Sequence, residues 1–120
     1  MTETATERTA IPDALGFGFA EITTLASLRG GEAATLSAEA LRVGNYLGDT
    51  DMVSAGASSL VARGLAKAES DGLLSVAGPT AAVAAVLSSA SRRMEISLLT
   101  AEGGDSVIFM ESDDLHLLFQ

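Results

Sequence analysis

Residues 60–79 read LVARGLAKAESDGLLSVAGP, and the change of pattern within them indicates how the chain folds. Gly64 suits the left-handed position that ends a helix, and Leu65 suits the apolar position that follows it. After this point the spacing of apolar residues changes from helical to alternating on either side of an Asp-Gly pair at 71–72, a strong signal for a tight hairpin turn. The stretch therefore predicts the end of one helix, a β-hairpin over 65–77 and the start of another helix.

Periodic apolar residues predict the elements on either side of this hairpin. A first helix is expected from Leu15 or, because two glycines weaken its first turn, from Phe19, and a glycine pair at 30–31 ends it. Further helices are expected over 37–47, 52–63 and 80–93, and strands over 94–100, 106–112 and 115–119. Ser37 is the expected N-cap of the second helix, and Gly44 within that helix predicts a close crossing with another helix.

The order of these elements predicts an α+β fold, in which a unit of three helices with a β-hairpin precedes a helix and a small antiparallel β-meander. The 120 residues are enough for one domain, which we expect over 11–120. Residues 1–10 lack apolar periodicity and are expected to form a disordered leader. Because no apolar run approaches the ~20 residues of a membrane span and the first residues lack signal-peptide features, we expect a cytoplasmic protein with no membrane contact.

Composition excludes several kinds of chemistry. The chain has no Cys and one His, which excludes disulfides, thiolate catalysis and His-rich metal centres, and we predict no cofactor and no metal. Glu111, Asp113, Asp114 and His116 form the densest group of possible metal ligands, but a solvated turn explains them better. Neither a nucleophile elbow nor a phosphate-binding loop is present, so we predict that the protein is not an enzyme.

Residues 36–77 resemble a winged helix-turn-helix domain. The resemblance depends on LVARGL at 60–65 and on Asp-Gly-Leu at 71–73. It implies that 37–47 and 52–63 form the helix pair, with 52–63 as the recognition helix and 65–77 as the wing. The expected architecture is thus a winged-helix-like three-helix unit with a β-hairpin wing, then a helix and a small antiparallel β-meander.

A second resemblance covers a longer part of the chain. The Arg-Gly-Leu at 63–65, the Asp-Gly at 71–72, the Ala-rich helix and the strand pattern RRMEISL at 92–98 are similar to repeats in EspG-like chaperones of type VII secretion. Those chaperones are noncatalytic proteins that bind partner proteins. The resemblance therefore implies a chaperone-like or adaptor function, for which this chain would supply half of one unit.

Charge favours protein recognition over DNA binding. Sixteen acidic residues against seven basic ones give a net charge of −9, and residues 36–79 carry −2 with only three cations. We therefore expect a noncatalytic module that recognises a partner protein or a second copy of itself in a homodimer. The predicted interface residues are Ala81 and Ala85 on the Ala-rich helix and Ile96, Leu98, Ile108 and Leu117 on the terminal strands, whose unpaired edges invite strand addition.

DNA binding by a transcriptional regulator is the alternative that the sequence leaves open. Helix 52–63 would enter the major groove, as recognition helices of this class do. The candidate DNA contacts are Ser54, Ser58, Ser59, Arg63 and Lys67. Serines discriminate bases poorly, and Lys67 shares the wing with acidic residues, so few phosphates would be neutralised.

The last six residues can be interpreted in two ways. Leu115–Gln120 matches the pattern Leu-x-x-Leu-Phe-Gln, a common engineered protease site, and it also matches a strand. The sequence leaves open whether this segment, with its single His, belongs to the natural protein.

Overall fold

Four α-helices and two antiparallel sheets form the part of the chain that the computed structural model describes, residues 15–113 and 115–120. The helices are α1 (Phe19–Ser27), α2 (Glu32–Ala40), α3 (Thr50–Ala62) and α4 (Gly78–Ser89), with a short 3₁₀ helix at Gly44–Tyr46. The strands are β1 (Ala66–Ala68), β2 (Leu74–Val76), β3 (Arg92–Thr100), β4 (Gly103–Ser112) and β5 (Leu115–Phe119). Strands β1 and β2 form one sheet, and the other has the order β3-β4-β5. The predicted α+β class is confirmed, whereas the predicted leader, residues 1–10, lies outside the described residues.

None of the described helices combines the length and the apolar character that crossing a membrane requires.

The end of α3 has the geometry that the sequence predicts. Gly64 adopts a left-handed φ of 75°, and its N–H donates to the carbonyl of Val61 at 3.0 Å. The N–H of Leu65 donates to the carbonyl of Leu60 at 2.9 Å, which completes a Schellman motif. The hairpin then forms with Lys67 opposite Ser75, on the two sides of the predicted Asp-Gly turn.

The second helix is not where the sequence predicts it. It was expected over 37–47, but α2 begins five residues earlier and ends in a Schellman motif in which Arg42 has a φ of 66°. The N–H of Val43 donates to the carbonyl of Ala38 at 2.8 Å. A glycine usually marks such an end, because a side chain at positive φ is strained. Ser37 is therefore no N-cap but a fully buried residue within α2.

The close helix crossing also lies elsewhere. Gly44 belongs to the 3₁₀ helix, whereas α1 and α3 meet at Gly56, where a Cβ would overlap the carbonyl oxygen of Ala20 and Oγ1 of Thr24. The Thr24 hydroxyl donates to the carbonyl of Val53 at 2.8 Å across the same crossing. Only glycine fits this contact, so Gly56 sets the distance between the two helices.

The terminal sheet starts earlier than expected. Helix α4 covers Gly78–Ser89 rather than 80–93, and Arg92 and Arg93 begin β3. The N–H of Ser91 already donates to the carbonyl of Glu111 at 2.9 Å, so pairing with β4 ends the helix. The glycine pair at 103–104, which falls between the strands predicted over 94–100 and 106–112, lies in β4.

The core lies between the helices and one face of the β3-β4-β5 sheet. Its largest fully buried side chains include Leu25, Leu60 and Leu87 from the helices and Met110 from β4. Ile108 and Leu117, both predicted at an interface, instead face this core: Ile108 is buried, and Leu117 packs against the buried cluster. The assignment of Ile108 and Leu117 to an interface differs from the structure because successive side chains of a strand point to opposite faces. An apolar run in the sequence does not show which of these faces packs against the helices.

Replacing Gly56 by Ala is expected to lower the free energy of unfolding by about 3 kcal/mol or more, because the added Cβ meets backbone that cannot move without separating two helices. Urea denaturation measures the change. Gly48→Ala is the matched control, since no atom lies within 4 Å of its Cβ position. Equal stabilities for the two variants would contradict the crossing described above.

Candidate functional site

The face of the β3-β4-β5 sheet that points away from the helices is apolar. Residues paired across antiparallel strands share a face, and the register pairs Met94 with Phe109, Ile96 with Val107, and Phe109 with Leu118. We call this surface the outer face; it consists of Arg92, Met94, Ile96, Leu98, Asp105, Val107, Phe109, Glu111, His116 and Leu118. The other face carries the core residues of β4 and β5.

Four apolar side chains of the outer face are largely in contact with water. The exposed fractions are 53% for Met94, 51% for Ile96, 62% for Leu98 and 68% for Leu118. An antiparallel sheet that faces water on one side normally carries polar residues there. A contiguous apolar patch of this kind on a protein surface marks a site of interaction. Among the described residues nothing covers it.

The two ends of the outer face differ in charge. At one end the carboxylate of Glu111 lies between two partners, Arg92 Nε at 2.8 Å and His116 Nε2 at 2.8 Å. The His116 ring also stacks on Phe109, with centroids 5.8 Å apart. At the other end Asp105 lies opposite Leu98 and carries a negative charge. The apolar residues lie between these ends.

Beyond β5, the hairpin of β3 and β4 continues as a two-stranded arm. Strand β5 pairs only with residues 108–112 of β4, so the described arm beyond them has two strands and exposes Leu99 to 84%. The carboxylate of Glu95 holds the base of this arm, because it accepts hydrogen bonds from Arg42, which follows α2, and from Ser106 of β4, each at 2.8 Å. Isolated two-stranded ribbons are marginally stable in water, so a surface that packs against the arm would stabilise it.

A groove of about 1080 Å³ runs beside β5 and adjoins the outer face. Its wall shares Phe109, His116 and Leu118 with the outer face, and Phe17, Pro79 and Phe119 extend it toward the helices. Among the described lining residues, His116 is the only titratable side chain. The groove is thus suited to apolar contact and lacks a set of groups for acid–base chemistry.

Buried Glu21 holds two of the five candidate DNA contacts. Ser59 donates to Oε2 of Glu21 at 2.6 Å, and Arg63 donates to Oε1 at 2.6 Å. The N–H of Gly18 also donates to Oε1, at 2.9 Å, and the Arg63 guanidinium lies 5.8 Å from the centre of the Phe17 ring. Ser59 and Arg63 therefore connect α3 and its end to α1, and the Arg63 side chain stays partly exposed.

Burial raises the pKa of the Glu21 carboxyl, but hydrogen bonds from Ser59, Gly18 and Arg63 stabilise its charged form more strongly. Together with the positive charge of Arg63 they hold its pKa below the ordinary value of 4.5.

The other DNA candidates stand on a surface with little positive charge. Ser54 and Ser58 are exposed on α3, on the same side as Asp51. Lys67 is exposed on β1, close in sequence to Glu69, whose carboxylate accepts a bond from Ser75 at 2.7 Å. Within the described residues, the structure thus brings no cluster of cations to the outer side of α3 and the hairpin of β1 and β2.

Sequence analysis did not predict the structural role of Arg93. Arg93 lies at the end of the helix predicted over 80–93, but in the structure it belongs to β3, is half-buried and donates through Nε to Ser37 Oγ at 3.0 Å. Its Nη2 donates to the carbonyls of Ala33 at 2.8 Å and Ala90 at 3.1 Å. Arg93 therefore connects β3 to α2 and to the end of α4, which fixes the orientation of the terminal sheet.

The remaining predicted interface residues lie in two different places in the structure. Ile96 and Leu98 lie on the outer face as interface candidates, while Ala81 and Ala85 are half-buried on α4. The sequence reasoning did not single out Met94, Val107, Phe109 or Leu118. The continuous apolar run at 107–110, in place of strict alternation, was the available signal, because it is typical of strands covered on both faces.

No group of three or more potential metal ligands lies close together among the described residues. Of the four candidate ligands in the acidic turn, Glu111 and His116 are in contact with each other. Asp114 of this turn lies outside the described residues.

Glu21 makes stability depend on pH in a direction that its lowered pKa determines. A depressed pKa contributes stability that is present above about pH 4.5 and is lost as the pH falls through the folded-state pKa. We expect Glu21→Gln to reduce the free energy of unfolding near pH 7 by about 1–2 kcal/mol, a value discounted because Arg63 is partly exposed. The variant should also lose stability less steeply than the wild type between about pH 5 and about pH 3.

Urea titrations at several pH values measure this difference in slope. Glu32→Gln is the control, because Glu32 is exposed on α2 and should leave the dependence as in the wild type. The same slope for Glu21→Gln and the wild type would contradict the assignment.

Comparison with known proteins identifies no relative: no family model matches the chain, and no curated protein and no solved structure is significantly similar to it. The resemblances to winged helix-turn-helix domains and to EspG-like chaperones therefore stay predictions.

Proposed function

We propose that this chain is a noncatalytic protein-recognition module that binds a partner protein through the outer face. The observation that carries the proposal is the row of exposed Met94, Ile96, Leu98 and Leu118 on a sheet whose opposite face already forms the core. Antiparallel sheets bury their apolar side chains against another layer. The partner supplies the layer that the outer face lacks.

The driving force is the removal of apolar surface from water. Fully burying an aliphatic side chain contributes about 1.5–3 kcal/mol, so covering four half-exposed ones contributes several kcal/mol before the costs of association. The ends of the face carry Arg92, Glu111 and Asp105, which would fix the orientation of the partner more than they add to affinity. Such a distribution, apolar in the middle and charged at the rim, is typical of protein interfaces.

The scaffold is suited to an adaptor or chaperone-like module. The contacts of Arg93 with α2 and with the end of α4 hold the sheet in a fixed orientation, so the outer face is formed before the partner binds. A surface formed in advance avoids the entropy cost of ordering on binding. The resemblance to EspG-like chaperones, which bind partner proteins, supports the same function.

DNA binding by α3 and the wing is the second candidate. The exposed Ser54 and Ser58 on α3 and the exposed Lys67 on the wing favour it, since they stand where a winged-helix protein would contact DNA. Arg63 counts against it, because its guanidinium is held by buried Glu21. With so few cations the expected affinity for a duplex is low.

Fluorescence anisotropy with a mixed-sequence duplex at about 50 mM and about 200 mM salt tests this alternative, because phosphate contacts weaken steeply with salt. We expect no binding that depends on Lys67. Salt-sensitive binding that Lys67→Ala weakens, with a salt slope reduced by about one, would favour the regulator.

A photo-crosslinking residue at position 96 tests protein recognition directly. In cells that express the protein naturally, we expect position 96 to give one crosslinked species of defined mass, which excess wild-type chain competes away. Excess Ile96→Glu chain should not compete, because it places a charge in an apolar interface.

Position 99 is the matched control, since Leu99 lies on the same strand, points to the opposite face and is more exposed. Equal crosslinking from positions 96 and 99, or equal competition by the wild type and by Ile96→Glu, would contradict recognition through the outer face.

A further inference from the structure

We infer that the edge of β5 that faces away from β4, together with the groove beside it, is a second binding site, which takes an extended segment of a partner protein as a fourth strand of the sheet. The segment has apolar side chains at alternate positions and a basic residue at the end that reaches the turn between β4 and β5. Because this site lies at the edge of the sheet rather than on the outer face, the inference does not depend on the proposed function.

The hydrogen bonds of the sheet show which backbone groups of β5 point away from β4. The N–H of Ser91 donates to the carbonyl of Glu111, so the backbone of Glu111 is directed toward β3. Backbone groups alternate in direction along an antiparallel strand, so Glu111 does not bond its partner in β5, His116. The N–H and C=O of His116 therefore point away from β4, as do those of Leu118, and we call these groups the β5 edge. Among the described residues no hydrogen bond from another element reaches them.

The β5 edge lacks the features by which proteins usually prevent further strands from pairing. Charged side chains, proline and β-bulges commonly protect an edge strand. Strand β5 reads LHLLF, without Pro, Lys or Arg, and each of its residues has one partner in an unbroken register. The other edge strand of the sheet, β3, carries Arg92, Arg93 and Glu95. Strand addition is thus favoured at β5 rather than at β3.

The groove leaves the core side of β5 incompletely covered. Leu117 and Phe119 are only half-buried, whereas their partners in β4, Met110 and Ile108, are buried. The groove of about 1080 Å³ lies next to them, and its wall includes Phe19, which is exposed to 70%. Side chains of a strand added at the β5 edge would alternate between the outer face and this groove. Apolar side chains at the groove positions would complete the cover that β5 lacks.

Charge determines which side chains fit along the site. His116 is the only titratable side chain among the described residues of the groove, so a charged side chain buried there would lack a partner. At the turn, Asp113 is exposed, and none of the ion pairs among the described residues includes it, while Glu111 is already paired with Arg92 and His116. The sequence places another acidic residue at 114, and the chain carries a net charge of −9. A basic residue is therefore favoured at this end of the segment and an acidic one is repelled.

The bound segment runs antiparallel to β5, because antiparallel pairing is slightly more stable per residue than parallel pairing. His116 and Leu118 each exchange hydrogen bonds with one residue of the segment, and the residue between those two directs its N–H and C=O to solvent. Since β5 begins at the turn, the basic residue is at the carboxyl end of the segment. Main-chain bonds supply affinity and the groove supplies specificity, as in other cases of strand addition.

Titration of the isotope-labelled chain with the peptide acetyl-Val-Thr-Val-Thr-Val-Lys-amide, followed through backbone amide NMR signals, tests the inference. The valines of this peptide face the groove and its lysine lies beside the turn. We expect saturable shifts at His116 and Leu118 and at Phe17 and Phe19 of the groove. The expected dissociation constant is about 0.1–1 mM, since a short flexible peptide loses much of its binding energy to ordering.

Methylated peptides test the backbone bonds themselves. N-methylation of both threonines removes the N–H groups that face β5 and is expected to abolish binding. N-methylation of the middle valine is the matched control, because its N–H faces solvent, and it should change the dissociation constant by less than about twofold.

Variants of the protein test the groove and the turn. Phe19→Ser is expected to raise the dissociation constant by about tenfold, whereas Leu73→Ser, at a residue that is 66% exposed but lies outside the groove, should leave it unchanged. Asp113→Asn should weaken the lysine peptide by about two- to threefold and leave a peptide with Gln in place of Lys unaffected. Ile96→Glu, on the outer face, should have no effect.

The inference is overturned if no saturable shifts occur up to about 1 mM peptide, if the two methylated peptides bind equally, or if the shifts are confined to Met94 and Ile96 of the outer face. Shifts at His116 and Leu118 that depend on protein concentration without peptide would assign the edge to a second copy of the chain and also overturn it. The proposed function fails separately, because crosslinking from position 96 does not require the β5 edge and should persist in Phe19→Ser.

Discussion

A three-stranded antiparallel sheet has two faces, and in this protein apolar side chains occupy both. The inward face is held against the helices by Ile108, Met110 and Phe119, which belong to the core or pack on it. Because side chains alternate along a strand, the residues between them must point the other way. Here those residues are Val107, Phe109 and Leu118, so burying one face leaves apolar side chains on the other. The proposed function follows from this constraint.

Buried polar contacts help to fix how the helices and the sheet are arranged. Arg93 connects β3 with α2 and the end of α4, and Glu21 connects α1 with α3 through Ser59 and Arg63. Within the described residues every buried side-chain nitrogen and oxygen has a hydrogen-bond partner. Such satisfied networks specify one arrangement of elements, because any shift leaves a buried polar group without its partner. A fixed arrangement is what a preformed binding surface requires.

The sequence predicts some elements well, for reasons that are local. The end of α3 and the hairpin after it follow from Gly64 and the Asp-Gly turn, whose conformations few other residues adopt. The second helix was misplaced because Arg42 takes the position that glycine usually holds. The close crossing was assigned to Gly44 rather than Gly56, because a glycine in a sequence does not show which neighbour approaches it.

The candidate site was predicted only in part, because it depends on which way each strand faces. Ile96 and Leu98 were identified from the pattern of β3, but Ile108 and Leu117 were assigned to the same surface although they face the core. Inward and outward residues of an apolar run have the same character, and only the packing of helices on one side distinguishes them. The internal use of Ser59 and Arg63 likewise depends on Glu21, which lies far away in sequence.

Oxidation of methionine offers the most direct measurement of the central claim, that the outer face is covered in the cell. Met94 lies on the outer face and is exposed to 53%, while Met52 lies on α3, away from this sheet, and is half-buried. The oxidation rate of each, measured by mass spectrometry in intact cells and in the dilute purified chain, reports its contact with solvent. We predict that Met94 oxidises several-fold more slowly in cells while Met52 changes little. Equal rates for Met94 in the two settings would contradict the account.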